Sequence, residues 1–280
     1  MHWQTRRFRI DLSRPRVMGI VNATPDSFSD GGAHDDARAA IAHCERLVSE
    51  GADILDIGGE STRPGAPPVD ADSEWARIQP VLAAAVTMGV PVSVDTYKPE
   101  VMRRALDAGA DIINDIQALQ LPGALEAVAG SEAGVCLMHM RGDPASMAAL
   151  AGYGDVVAEV GAFLAQRAEA ARACGVAAQR IVLDPGYGFA KTGADNLQLL
   201  AGQRRLTELG YPLLAGWSRK RTLGELTGRP VDQRLPGSLA AALRSINEGA
   251  CIVRVHDVAA TVDAIKVWVA VDAATMPPVA

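Results

Sequence analysis

Short apolar runs rich in Val, Ile and Leu recur at residues 17–21, 54–57, 90–94, 112–114, 135–138, 181–183, 213–215 and 252–255. Each has the length of a strand, and the lack of polar alternation predicts burial on both faces. Between them lie stretches with helical spacing. Residues 35–50 and 72–88 place apolar side chains every three or four positions, and residues 155–174 form an Ala-rich run closed by Gly175. KPEVMRRALDAGA puts Pro99 in a first turn and stops at Gly109. SEGADILDIG, DAGADIIND and NEGACIVRV repeat one layout, in which a helix ends at Gly and Ala leads into a strand.

Buried strands alternating with helices predict a parallel sheet covered on both faces. Eight such units in 280 residues predict an α/β fold, a single-domain (β/α)8 TIM barrel, rather than an open doubly wound sheet. No G-x-G-x-x-G follows the first run, which argues against a dinucleotide site. With no linker in sight, residues 1–280 are read as one domain. Residues 1–16 are expected to form a small N-terminal hairpin closing the barrel bottom, and residues 275–280 a frayed tail.

Composition then narrows the function. The apolar share is 49% and the charged share 21%, ordinary for a globular protein, and a net charge of −6 argues against a nucleic-acid surface. The N-terminus lacks the apolar segment of a secretory signal and no apolar run reaches membrane-spanning length, so a cytoplasmic protein with no membrane partner is expected. Cys44, Cys136, Cys174 and Cys251 form no C-x-x-C pair and are expected to be buried small hydrophobes. Only four of the 27 basic residues are Lys (Lys98, Lys191, Lys220, Lys266), so each lysine is slightly more informative than usual.

In α/β barrels the chemistry sits where strands end. Those points read Asn22, then Gly58 to Arg63, Asp95-Thr96, Asn114-Asp115, Met138-His139-Met140, Asp184-Pro185-Gly186, Ser218-Arg219-Lys220 and Arg254-Val255-His256. Loops facing water would show a mixture of polar types. Here almost every strand ends in Asp, Asn, Arg, Lys or His, which predicts a cluster in the barrel mouth. Asp95, Asn114 and Asp184 offer acceptors and an amide, suited to a heterocycle that shows N–H and NH2 donors beside a carbonyl. Arg63, Lys220, Arg254 and His256 offer cationic donors for anionic oxygens, and Ser218 is expected to open a helix whose free N–H groups favour an anion. One site for a polar ring plus an anion is the result.

The segments MGIVNATPDSFSDGG, DIGGESTRPGA, SVDTYKPEVMRRAL, IINDI, LMHMRGDP, DPGYGFAKT, GWSRK and IVRVHDV, taken in order, resemble the signature segments of dihydropteroate synthases. The resemblance spans nearly the whole chain from Val17. It implies condensation of 6-hydroxymethyl-7,8-dihydropterin pyrophosphate with 4-aminobenzoate to give dihydropteroate and pyrophosphate, in a Mg2+-dependent homodimer inhibited by sulfonamides. It further implies that Asp95, Asn114, Ile116, Met138, Asp184, Phe189, Lys220 and Arg254 hold the pterin. Asn22, Thr62, Arg63, Arg254 and His256 would hold the pyrophosphate, with Mg2+ at Asn22. Phe28, Thr62, Pro64, Phe189, Ser218, Arg219 and Lys220 would surround the aminobenzoate. Asp95, Arg63, Lys220 and Arg254 would carry the chemistry. Pyrophosphate would depart first and leave behind a pterin-stabilised methylene cation for the amine to attack, with Phe28 as a lid residue helping to exclude water.

Several residues carry a structural reading beside the functional one. Lys191 is read as a clamp on its Gly-rich loop or a solvated charge, His139 as a structural histidine, Trp217 as packing, and Asp35-Asp36 as a helix cap. Two positions depart from the family pattern: Ala190 stands where Gly is common, and Arg221 where a small or neutral residue is frequent. The competing readings are the methyltetrahydrofolate-binding barrel of corrinoid methyltransferases and a catalytically silent homologue. The first needs no pyrophosphate cradle such as STRPG and RVH suggest, and the second would be expected to have lost loop residues that are present here.

Overall fold

The computed structural model describes residues 1–24, 33–62, 65–143 and 146–275. Two short strands, β1 (His2–Gln4) and β2 (Arg9–Asp11), pair antiparallel, as expected of the N-terminal hairpin. Eight further strands close a parallel barrel in the order β10-β3-β4-β5-β6-β7-β8-β9. They are β3 (Arg16–Asn22), β4 (Ile54–Gly58), β5 (Val92–Asp95), β6 (Ile112–Asp115), β7 (Gly134–Met138), β8 (Ile181–Asp184), β9 (Leu213–Ala215) and β10 (Ala250–Val255). The third barrel strand starts at Val92 rather than at residue 90. Pro91 has no N–H to give to a ladder, though its carbonyl still accepts from Leu55.

Outside the ring run α1 (Ala33–Ser49), α2 (Ala71–Ala85), α3 (Pro99–Asp107), α4 (Ala124–Ala129), α5 (Val156–Ala173), α6 (Gly193–Ala201), α7 (Arg221–Thr227), α8 (Leu235–Asn247) and α9 (Val258–Thr275). The helix after β6 is only six residues long, and two helices follow β9, so the units are less uniform than the sequence pattern. Asp70 and Asp155 cap α2 and α5 by accepting from Ser73 and Ala158. Asp36 lies inside the first turn of α1 rather than at its cap, because that helix begins at Ala33; the side chain of Asp35 lies outside the described residues. Gly51 closes α1 at φ +97, letting the Ala52 N–H return to the Leu47 carbonyl. The last helix includes Thr275, so that part of the expected tail is helical, and residues 276–280 lie outside the described residues.

Alternate strand residues face opposite sides. Outward residues such as Val21, Leu55, Ile57, Val94, Ile113, Leu137, Leu183 and Val253 pack against the helices as the main core. Inward residues at the strand beginnings, Met18, Ile54, Ile112, Cys136, Val182, Leu214 and Ile252, form a second apolar layer. The N-terminal hairpin seals this layer with Trp3, Ile10 and Leu12, and Trp3 Nε1 donates to the Arg180 carbonyl at 2.8 Å. Cys44 and Cys136 are buried as expected, but Cys174 is exposed at the C-cap of α5 and Cys251 is partly exposed near the barrel bottom. At Cys174 the helix ends at the surface, which leaves the thiol exposed.

Candidate active site

Two residues further along the same strands, the inward positions change from apolar to polar. Asp56 follows Ile54, Asn114 follows Ile112, Asp184 follows Val182, and Arg254 follows Ile252. At this level Arg254 donates from Nε to Asp56 Oδ2 at 2.6 Å and from Nη2 to Asp95 Oδ2 at 2.7 Å. Asn114 Nδ2 donates to the same Asp56 oxygen at 3.1 Å. Asp56 Oδ1 is buried with no hydrogen-bond partner among the described residues. A buried, unsatisfied carboxylate oxygen costs free energy unless a ligand N–H reaches it.

The electrostatics follow from burying so many charges together. Burial opposes the charge on Arg254, but Asp56 and Asp95 override it and raise its pKa above the ordinary value. Burial pushes the Asp95 carboxyl up while Arg254 pulls it down. Asp184 is also raised by burial, against the Gly186 N–H that it accepts at 2.7 Å and the nearby Lys220. Burial, aided by Arg254, lowers Lys220 to about 8. Three carboxylates thus face two cations, an arrangement suited to a ring that presents both donors and acceptors.

One wall of the site is apolar. Ile116, Met138, Met140, Met147 and Ala190 form a small buried cluster with Tyr97 and Phe189 against it. Asp115 shapes the turn that carries Ile116, accepting from the Gln117 and Leu119 amides at 2.7 Å each. The Lys220 ammonium lies over the Phe189 ring, 4.2 Å from its centroid. The loop after β8 needs Gly186 at φ +69, where a Cβ would come within 1.9 Å of the His139 carbonyl oxygen. Ala190 adopts φ +49, a left-handed conformation that glycine enters at less cost than alanine. Trp217 packs against Tyr187 with ring centroids 4.5 Å apart, as a packing residue should.

The remaining expected residues divide. Asn22 ends β3 beside Gly58, half-buried, with no side-chain partner among the described residues. Thr62 is half-buried in a loop held from behind by Glu60, which pairs with Lys98 and accepts from Tyr97 at 3.1 Å. Lys98 also reaches the buried Glu74 at 2.5 Å. Phe28, Arg63 and Pro64 lie outside the described residues.

Two expectations need correction. Ser218 does not open a helix, since α7 begins at Arg221 after a turn. Its hydroxyl instead joins two strand ends, lying 2.9 Å from His256 Nδ1 and accepting from the His256 amide at 3.1 Å. Nor is His256 a cation at neutral pH in the free protein: burial first, then Arg254 and Arg219, lowers it to about 3. When the serine hydroxyl donates to Nδ1, the proton rests on Nε2, leaving a neutral donor. Arg219 is drawn to Asp257 at 2.6 and 3.1 Å, and Arg221 stands outside the site, 80% exposed and paired with Glu225.

Sequence reasoning missed Asp56, which lies in mid-strand rather than at a strand end. Its signal was a lone carboxylate inside the run ILDIG, on the same face as Ile54.

The family model described as pterin binding enzyme matches residues 18–256. The chain belongs to the pterin-binding enzymes and, among them, to the dihydropteroate synthase family. The dihydropteroate synthase of Neisseria meningitidis serogroup B is 53% identical over 273 residues, covering 95% of this chain and 96% of that protein. A structure of the Xanthomonas albilineans dihydropteroate synthase with 4-aminobenzoic acid superposes with a TM-score of 0.91 at 57% identity, covering 96% of each chain. The Yersinia pestis enzyme in complex with a sulfonamide drug gives a TM-score of 0.92 at 46% identity, covering 98% of this chain and all of the other.

Proposed function

We propose that this chain condenses 6-hydroxymethyl-7,8-dihydropterin pyrophosphate with 4-aminobenzoate, releasing pyrophosphate and forming 7,8-dihydropteroate for folate synthesis. The observation that carries the reading is the unpartnered Asp56 Oδ1 in a floor that already contains Asn114, Asp95, Asp184, Lys220 and Arg254. A pterin edge supplies N–H groups to the carboxylates, and its carbonyl accepts from Lys220. Ile116, Met138 and Phe189 flank the ring.

Arg254 shifts between two duties, since the cation that steadies Asp56 and Asp95 is also within the mouth where the pyrophosphate leaves. Arg63, Asn22, Thr62 and the neutral Nε2–H of His256 complete the cradle. The methylene C–O bond breaks with both electrons going to pyrophosphate. The aromatic amine of 4-aminobenzoate then attacks the methylene carbon and loses a proton to water. Ser218, Arg219, Pro64, Phe28 and Phe189 surround that second substrate, and sulfonamides compete for its place.

Among the described residues no three His, Cys, Asp or Glu gather into a metal cage. Asn22 nevertheless fits a Mg2+ that keeps few protein ligands and takes most of its oxygens from pyrophosphate and water. When bound, the ion would neutralise charge on the leaving group. The protein is further proposed to be a cytoplasmic homodimer; no helix among the described residues is long and apolar enough to cross a membrane, and exposed Leu226 and Val231 are apolar surface for a second copy.

The test is pyrophosphate release by the purified protein with Mg2+. Release is expected only when both substrates are supplied, with dihydropteroate appearing in equal amount; no dihydropteroate would sink the reading.

A further inference from the structure

Lys191 follows the wall residues Phe189 and Ala190 and is 5% exposed. Its ammonium has three N–H bonds and three close acceptors: the Gly186 carbonyl at 2.9 Å, the Phe189 carbonyl at 3.1 Å and His139 Nδ1 at 2.9 Å. Left-handed backbone at Gly186 and Ala190 brackets this turn, and its two carbonyls converge on the one nitrogen. His139 is itself wedged edge-on against Phe163 of α5, with centroids 4.9 Å apart. Asn196 and Gln203 also hold this loop from the helical side, accepting from the Gly188 amide and the Tyr187 hydroxyl at 2.8 Å each, but Lys191 is the side chain that joins the Gly186 and Phe189 carbonyls to His139 after β7.

A buried ammonium is a costly way to tie a loop, because burial favours the neutral amine and lowers Lys191 to about 7. The geometry shows what the tie holds. The Phe189 carbonyl accepts from Lys191 while the Phe189 ring lies beneath the Lys220 ammonium. We propose that Lys191 is a positioning residue: its ammonium fixes the 186–190 turn and thereby aims the Phe189 ring at Lys220 and at the aminobenzoate. This rests on the function proposed above. Lys191 touches neither substrate, and its influence passes entirely through Phe189.

The test is steady-state kinetics of Lys191→Met, alone and combined with Phe189→Ala, beside the unmodified protein. Loss of the clamp is expected to raise the KM for 4-aminobenzoate by about tenfold or more, the scale on which small misplacements act, with a smaller change for the pterin substrate. On the Phe189→Ala background the same substitution should add little, because both remove one interaction chain. An unchanged KM, or effects of the two substitutions that simply multiply, would overturn the inference. If Lys191→Met does not fold, His139→Leu and His139→Asn decide. Leucine removes the acceptor and should raise that KM, asparagine restores an acceptor near Nδ1 and should recover it, and equal behaviour of the two refutes the clamp. If the unmodified protein makes no dihydropteroate, the functional reading itself has failed, which is a separate outcome.

Discussion

The two ends of the barrel interior are built on the same eight strands, two residues apart, yet they obey opposite rules. At the bottom, Met18, Ile54, Ile112, Cys136, Val182, Leu214 and Ile252 meet the Trp3 plug, and the charged groups nearby are paired, although the Ser93 hydroxyl beside Ile112 is buried without a partner among the described residues. Asp111 takes a two-pronged contact from Arg7 at 2.8 and 2.6 Å, and Arg180 gives its donors to the Ala133 and Val128 carbonyls. At the top, carboxylates and cations crowd together and Asp56 keeps an oxygen without a partner. The four non-glycine residues of positive φ among the described residues, Ala118, Leu119, Ala190 and Arg219, all lie in loops on the top side. The bottom holds the ring closed, and the top holds strain and unmatched charge that a ligand can relieve.

That contrast can be broken from either end. The largest effect is expected from Asp184→Asn, which should lower kcat/KM by about a thousandfold, the scale of removing a charge-assisted contact, while leaving the melting temperature unchanged or higher. Calorimetry with the pterin substrate checks it, and unchanged affinity would refute the assignment of Asp184. At the other end, Trp3→Ala should cost about 3–5 kcal/mol of stability in denaturant titration while the folded fraction keeps its turnover. A Trp3 variant that stays stable but loses turnover would mean that the two layers are not separable.

A smaller effect concerns pH. Lys220 is lowered to about 8, so its amine gives up its proton as pH rises through that value, and pterin affinity should fall above pH 8. The unfolded chain keeps that proton up to the ordinary lysine range, near pH 10.4. Between those values the unfolded state binds more protons, so this group makes the ligand-free protein more stable as pH rises. Pterin binding and ligand-free stability should therefore change in opposite directions with pH; Lys220→Met should remove the fall in affinity and reduce the rise in stability, the remainder coming from Lys191, which burial lowers to about 7; calorimetry and thermal melts across pH 7–10 measure them.

The barrel was legible because buried parallel strands leave continuous apolar runs, and because helix stops such as Gly51 recur with one geometry. Asp95, Asn114, Asp184, Lys220 and Arg254 were legible for a related reason: in this fold, strand ends converge whatever the loops do. Asp56 escaped because its position in mid-run looks like core, and only the inward alternation reveals it. The charge state of His256 could not be read from type and position, since it depends first on how deeply the fold buries the ring and then on Arg254 and Arg219 lying beside it. Ser218 was misplaced for the opposite reason, a local turn that delays α7 until Arg221.

The Trp3 plug also bears on how the chain reaches this state. Its hydrogen-bond partner, the Arg180 carbonyl, lies 177 residues away, and the barrel closes only when β10 pairs with β3. During synthesis the hairpin emerges first and its seat is completed last. Until residues 250–255 arrive, β3 presents an open edge and the apolar layer above Trp3 lacks Ile252, so closure waits on contacts of very long range. An unclosed parallel sheet leaves strand edges unpaired, so refolding of this chain is expected to be slow and to lose yield as protein concentration rises.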